Sequence, residues 1–287
     1  MNALVEAPSK GLRVRKPADA PPIVLFTGGK GGVGKTLLAA NTAIELAKRA
    51  HRVLLVDLDL GLADLDVVLK LSARHTIEDA LHGRAKLADC VVRGPAGVSV
   101  LAAGSGTPGM ARLDAGQRAQ LFTELFELAR GYDVVVADSA AGIGPDVLDA
   151  CLAADHVFVV TTPEPAALTD AYGLIKALHA QSERDGREVP TPELVVNQSR
   201  SVEEAEFTAA KLRSVCERFL ARSPRSAGWM PSSPAVARSA ASQRPFALDA
   251  DTGLPWSCLA RLATRLERLC LGPAVNALPQ GVTGHGR

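Results

Sequence analysis

The sequence predicts an α/β fold in which helices cover both faces of a mostly parallel, doubly wound sheet. Three observations carry that expectation. Short apolar runs alternate with helical patterns along most of the 287 residues, as successive right-handed βαβ units require. The runs are apolar throughout rather than at every second residue, as in strands buried on both faces. The first run leads straight into a glycine-rich stretch and then into a helical pattern.

The elements follow in order. Residues 1–22 are expected to be a flexible leader, with Pro8, Pro17, Pro21 and Pro22, the basic residues Lys10, Arg13, Arg15 and Lys16, and few large apolar side chains. Ile23–Thr27 is a buried strand, and Thr36–Arg49 is a helix behind the glycines. Val53–Asp57 is a strand ending in a carboxylate. Thr76-Ile77-Glu78-Asp79 has the form of a capping box ahead of a short helix. Val98–Leu101 is a strand. Asp114–Arg130 is an amphipathic helix, with Leu121, Leu125 and Leu128 near helical spacing. Asp133–Asp138 is a buried strand, again ending in Asp. Val157–Val160 and Leu194–Val196 are strands followed by helical patterns. Cys258–Leu271 is a last amphipathic helix, and 272–287 is expected to be a disordered tail. Without an internal repeat or a linker, residues 23–271 are expected to form one domain.

Composition narrows the function. Apolar residues make up 47% of the chain and charged residues 22%, and the net charge is +1. This suits a soluble globular protein and supplies no whole-protein field to attract nucleic acid, which is therefore not an expected partner. The five cysteines include no CxxC pair, so neither a disulfide framework nor a zinc site is indicated, and reduced thiols in a cytoplasmic protein are expected. The basic leader lacks the apolar run of a signal peptide. No segment approaches the roughly 18 apolar residues of a membrane span.

The strongest signal is Gly28-Gly29-Lys30-Gly31-Gly32-Val33-Gly34-Lys35-Thr36. From Gly29 it matches G-x-x-x-x-G-K-[ST], set between a predicted strand and a predicted helix. Glycines let backbone N–H groups turn inward around phosphate oxygens, and the helix N-terminus adds its dipole. Lys35 is placed to reach the β/γ-phosphates, and the Thr36 hydroxyl to ligate Mg²⁺.

With its second lysine, Lys30-Gly31-Gly32-Val33-Gly34-Lys35-Thr36 resembles the deviant Walker A loop of the MinD/ParA class of ATPases. The resemblance implies a three-layer P-loop NTPase fold, ATP/ADP and Mg²⁺ as ligands, and hydrolysis of ATP to ADP and phosphate. It also implies that Lys30 crosses the interface of an ATP-bound homodimer to the other subunit's nucleotide. A cation delivered in that way neutralises charge on the transferring phosphoryl group and ties dimerisation to the nucleotide state.

The same resemblance assigns the loops after two further strands. Asp57–Asp66 matches switch I: Asp59 corresponds to the aspartate that positions the attacking water, and Asp57 supports Mg²⁺ through a water. Asp64 stands where the family more often has Asn. Asp138-Ser139-Ala140-Ala141-Gly142-Ile143-Gly144 matches Walker B with switch II, with Asp138 behind Mg²⁺ and the Gly142 N–H on the γ-phosphate. Loss of that phosphate releases both switches. Asn197 matches the residue that pairs with adenine; a turn asparagine is the alternative reading.

Further stretches resemble the flagellar-number branch of the class, FlhG or FleN, over about Ile23–Leu269. They are Asp59–Ala63, Ala102–Gly106, Thr161–Pro165 with Thr169–Tyr172, Val196-Asn197, Gly228–Pro231 and Gln243–Phe246. That branch implies a slow ATP-driven switch for flagellar number, placement or assembly. Its implied partners are an FlhF-like GTPase, a flagellar transcription regulator or a basal-body protein. The branch often carries an N-terminal Asp-Gln-Ala…Leu-Arg element that stimulates FlhF, and residues 1–22 carry basic residues in its place. It often ends in a membrane-binding helix, for which Cys258–Leu271 is the candidate; the alternative is a last helix packed on the domain. The expected location is cytoplasmic, with peripheral contact at the inner face of the membrane if that helix binds lipid. MinD-like division-site placement and ParA-like partition remain alternatives. An iron–sulfur carrier is disfavoured by the scattered Cys90, Cys151 and Cys216.

Overall fold

The computed structural model describes residues 14–104, 113–186, 188–249 and 253–272. The strands are β1 (Ile23–Gly28), β2 (Val53–Leu58), β3 (Val91–Arg93), β4 (Ser99–Leu101), β5 (Val134–Ala141), β6 (His156–Thr161), β7 (Glu193–Ser199) and β8 (Arg225–Pro231). They form one sheet in the order β3-β4-β2-β5-β1-β6-β7-β8. All neighbours are parallel except β3 and β4, which pair antiparallel at one edge. The helices are α1 (Lys35–Lys48), α2 (Leu65–Leu69), α3 (Ile77–Leu81), α4 (Ala115–Ala129), α5 (Pro145–Ala153), α6 (Pro165–Asp185), α7 (Val202–Leu220), α8 (Pro234–Ala241) and α9 (Leu254–Cys270).

The undivided apolar runs have the meaning the sequence suggests. Along β1, Ile23 and Leu25 enter a core shared with α3 to α7. Val24 and Phe26, between them, enter a second core shared with α1, α2 and α9. The same alternation on β2, β5, β6 and β7 gives a sheet filled on both faces. Phe26 stacks on Phe158 of β6, with ring centroids 5.4 Å apart. The capping expectation holds: Thr76 and Asp79 exchange hydrogen bonds at the start of α3. The structure adds a second such box, between Asp114 and Gln117 at the start of α4.

The sequence pattern missed β3, α2, α5, β8 and α8. The segment Arg225–Pro231 has no apolar run. Ala227 bulges between the pairs Leu194↔Ser226 and Val195↔Gly228, and Gly228 takes φ +148°. An edge strand packed on one neighbour needs fewer apolar residues, and a bulge twists it away from further pairing.

Before β1, the Lys16 ammonium donates to the Pro21 carbonyl at 3.1 Å and pairs with Asp155 at 2.5 Å. Asp155 in turn accepts from the Ile23 N–H at 2.7 Å. This stretch of the expected leader is thus held to the start of the sheet, while residues 1–13 and the tail from 273 lie outside the described residues. The last helix is packed. Leu259, Leu262 and Leu266 of α9 are buried in the second core, and Arg49 donates to Glu267 at 2.6 Å and to the Ala260 carbonyl at 3.0 Å. The apolar stripe of Cys258–Leu271 is therefore spent against α1 and β8 rather than presented to lipid. Among the described residues, no helix is long and apolar enough to cross a membrane.

Candidate nucleotide site

The glycine-rich turn joins β1 to α1 at the carboxyl edge of the sheet, where open α/β sheets bind ligands. Gly32 and Gly34 hold φ +77° and +90°, conformations that cost other residues about 1–2 kcal/mol. Gly29 answers to space instead: a Cβ there would sit 2.1 Å from the carbonyl oxygen of Asp170 in α6. Gly34 is the N-cap of α1 and offers no side-chain cap, so the first N–H groups of α1 are left for a ligand.

A cleft of about 770 Å³ opens over this turn, lined among others by Gly31, Lys35, Thr36, Asp59, Asp64 and Ala140. The structure thus brings the phosphate loop and both predicted switch loops to one cavity. Lys35 is buried, 7% exposed.

The carboxylates divide the work. Asp57 and Asp138 are register neighbours on β2 and β5, and both are buried. Asp57 accepts from the Asp59 N–H at 2.9 Å and from the Leu65 N–H at 3.2 Å, so it shapes switch I. Asp59, half-exposed at the cleft, accepts from the Leu62 N–H at 3.0 Å. Asp138 bonds the Thr36 hydroxyl, and its Oδ1 is buried without a partner. Burial lifts its carboxyl to about 7, against the opposing pull of Thr36 and Lys35. Burial and the neighbouring Asp138 charge also raise Asp57 well above the ordinary carboxylate range. An unsatisfied buried carboxylate beside a threonine hydroxyl is a donor set that suits Mg²⁺. No group of three or more acidic, histidine or cysteine side chains forms a metal cage among the described residues; a Mg²⁺ held here would draw its other ligands from phosphate oxygens and waters, as Mg²⁺ prefers.

Three predicted site residues have partners that chain order did not suggest. The Lys30 ammonium pairs with Glu164, the N-cap of α6, at 2.7 Å within the same chain. The Gly142 N–H, expected at a γ-phosphate, donates to the Gly28 carbonyl at 3.0 Å. The Asn197 amide donates to the Val33 carbonyl at 2.7 Å and accepts from the Gln198 N–H at 2.9 Å; in this arrangement it props the phosphate loop from beneath. Gln198 itself went unnoticed in the sequence. It holds φ +57°, and its amide reaches the Gly32 carbonyl at 3.4 Å; only its place after a strand-ending Asn could have signalled it. Leu62 of switch I lines the cleft and is 75% exposed, and Ile143 of switch II is 56% exposed.

The family model for the CobQ/CobB/MinD/ParA nucleotide binding domain matches residues 24–246. The antiactivator FleN of Pseudomonas aeruginosa is 39% identical over 222 residues, covering 77% of this chain and 78% of FleN. The flagellum site-determining protein YlxH of Helicobacter pylori is 36% identical over 153 residues, covering 53% of this chain and 52% of YlxH. The fold is similar to that of the septum site-determining protein MinD from Pyrococcus horikoshii, solved with Mg-ADP. The TM-score is 0.71 at 23% identity, over 86% of this chain and 96% of that one.

Proposed function

The chain belongs to the CobQ/CobB/MinD/ParA nucleotide-binding family, and from that premise we propose that it is a Mg²⁺-dependent ATPase switch that dimerises with ATP and regulates flagellar number or placement. The observation that carries the proposal is the convergence of the glycine turn, Lys35, Thr36 and Asp59 on one cleft, with Asp138 behind Thr36 and its buried Oδ1 without a partner, in a chain 39% identical to an antiactivator over most of its length. An antiactivator restrains an activator, so a flagellar transcription regulator is the favoured partner. An FlhF-like GTPase and basal-body proteins are the others.

The residues take the following roles. Backbone N–H groups of Gly29–Gly34 and the start of α1 bind the phosphates, and Lys35 sets its charge on the β/γ oxygens. The Thr36 hydroxyl and Asp138, with Asp57 through a water, would hold Mg²⁺, whose charge offsets that of the phosphates. Asp59 orients the attacking water. The Gly142 N–H leaves Gly28 for the γ-phosphate, and that exchange makes switch II sensitive to hydrolysis. Asn197 turns its remaining donor and acceptor capacity to adenine. Lys30 leaves Glu164 for the partner's nucleotide when two copies close face to face, with Leu62 and Ile143 in the contact.

Light scattering on the Asp59→Ala variant with ATP and with ADP tests the switch. A dimer with ATP alone is expected, and a monomer under both conditions rejects the proposal. Pull-down with the ATP-trapped variant then reads the process: flagellar regulators or basal-body proteins support the flagellar assignment, and septum-placement factors count against it.

A further inference from the structure

Away from the nucleotide cleft, the open edge of the sheet carries a trough. Two cavities follow one another along β8, one of about 300 Å³ and one of about 490 Å³. Ala227, which bulges out of the β7–β8 pairing, and Arg261 of α9 line both, so the two are continuous. Together they fall in the size range of small-molecule sites. The ends differ in chemistry. Trp229, Cys258 and Leu262 line the smaller cavity, with the Glu206 carboxylate beside them. Arg261, Arg265 and Arg268 line the larger one.

The arginines are spaced i, i+4 and i+7, so they share one face of α9 and spread over about 10 Å of its axis. Arg265 is anchored. Its Nε donates to Glu193 at 2.9 Å and its Nη2 bonds the same carboxylate oxygen, and Glu193 is 2% exposed. The other N–H donors of this guanidinium are left for the cavity. Neither Arg261 nor Arg268 makes an ion pair among the described residues. The carboxylate nearest them in sequence, Glu267, is engaged by Arg49 and His51. One buried acid thus answers three guanidiniums, and the larger cavity selects an anion. Guanidinium forks match phosphate oxygens in geometry as well as charge.

Glu206 fixes the other end of the occupant. A carboxylate only accepts hydrogen bonds and repels phosphate, so the group beside it must be rich in donors. Guanine carries N1–H and its N2 amino group side by side, whereas adenine sets an acceptor nitrogen next to its amino group. Trp229 supplies an aromatic surface for the base.

We propose that the β8–α9 edge is a second nucleotide site, for a guanine nucleotide with two or more phosphates. The base stacks on Trp229 and donates to Glu206, and the phosphates meet Arg261, Arg265 and Arg268. The assignment goes beyond the ATPase reading and stands without it, because it shares no residue with the cleft over the phosphate loop.

The test uses the full chain with GDP as the probe, in two samples: wild type saturated with Mg-ADP, and Lys35→Ala, whose phosphate loop is disabled. Titration calorimetry should show saturable binding of one GDP in both, and amide chemical shifts should move along 226–229 and 258–269. Arg261→Ser combined with Arg268→Ser should weaken GDP binding roughly tenfold or more with an unchanged melting temperature, since both side chains are exposed. Glu206→Gln should erode the preference for GDP over ADP. GDP should quench tryptophan fluorescence, and Trp229→Phe should remove most of that quench. Absence of saturable binding, a GDP signal lost in Lys35→Ala, or equal affinity for the double arginine variant overturns the proposal. So does tripolyphosphate or mixed-sequence duplex DNA binding as tightly as GDP, because either outcome assigns the arginines to phosphate alone.

Discussion

Replacing Gly29 by Ala is expected to damage both the fold and nucleotide binding, for a reason that concerns space rather than backbone freedom. The added Cβ would lie 2.1 Å from the Asp170 oxygen and 2.2 Å from the Asp170 carbonyl carbon. Both are backbone atoms of α6, so no side chain can swing aside, and the loop or the first turns of α6 must shift by roughly an ångström to restore a normal contact. Overpacking of that kind costs about 1–3 kcal/mol. In a domain of this size each kilocalorie lowers the melting temperature by about 2–4 °C, so a fall of about 2–12 °C is expected. A loop moved that far also misplaces amides aimed at phosphate. Each hydrogen bond to a charged group contributes about 1.5–3 kcal/mol, so loss of one weakens ATP binding by about tenfold to a hundredfold. Gly31→Ala is the matched control for stability, because its Cβ meets nothing within 4 Å, and its melting temperature should stay within about 1 °C of wild type. Scanning calorimetry and titration calorimetry with Mg-ATP read the two effects. A Gly29→Ala protein that melts and binds like wild type would refute the packing argument.

Four further outcomes are expected. Glu164→Gln should leave the melting temperature unchanged, because the pair with Lys30 is exposed on both sides and such pairs contribute about 0–1 kcal/mol. Lys30→Ala should keep nucleotide affinity but lose the ATP-dependent dimer in light scattering, and a persisting dimer argues against a lysine acting across the interface. Burial raises the Asp138 carboxyl to about 7, above its unfolded value near 4, so the folded state keeps a proton that the unfolded chain releases. Stability from this group is therefore present at acid pH and lost as pH rises from about 4 to about 7. The ligand-free protein should melt lower at pH 8 than at pH 6, with the difference reduced in Asp138→Asn; an identical pH slope in the two proteins counts against the assignment. Leu262→Ala in α9, at a position 3% exposed, should cost about 2–5 kcal/mol in urea unfolding. A cost below about 0.5 kcal/mol, the range of surface substitutions, would argue against the packing of α9 on the domain.

Much of the fold was legible because its signals are local. An apolar run of five or six residues is a doubly buried strand wherever it lies, which is why β1, β2, β5, β6 and β7 fall within a few residues of expectation. The capping pair Thr76–Asp79 is written three residues apart. The glycine turn, Lys35 and Thr36 occupy one nine-residue stretch, and Asp57 and Asp59 flank the end of β2, with Asp138 in the second half of β5, towards the edge that binds ligands.

Contacts between distant segments decided the rest. Glu164 faces Lys30 across 134 positions of the chain, and Asn197 meets Val33 across 164, so no periodicity could pair them. The Gly142 N–H rests on the Gly28 carbonyl because β5 lies beside β1 in the sheet. The pattern of Cys258–Leu271 is the same whether its stripe meets lipid or protein; only the packing of Leu259, Leu262 and Leu266 on α1 and β8 chooses between them. The sequence by itself determined which backbone can cradle phosphate and which carboxylates accompany it, because steric freedom and strand-end position are local properties. The tertiary structure alone decided what each of those groups touches, because strand order sets the partners.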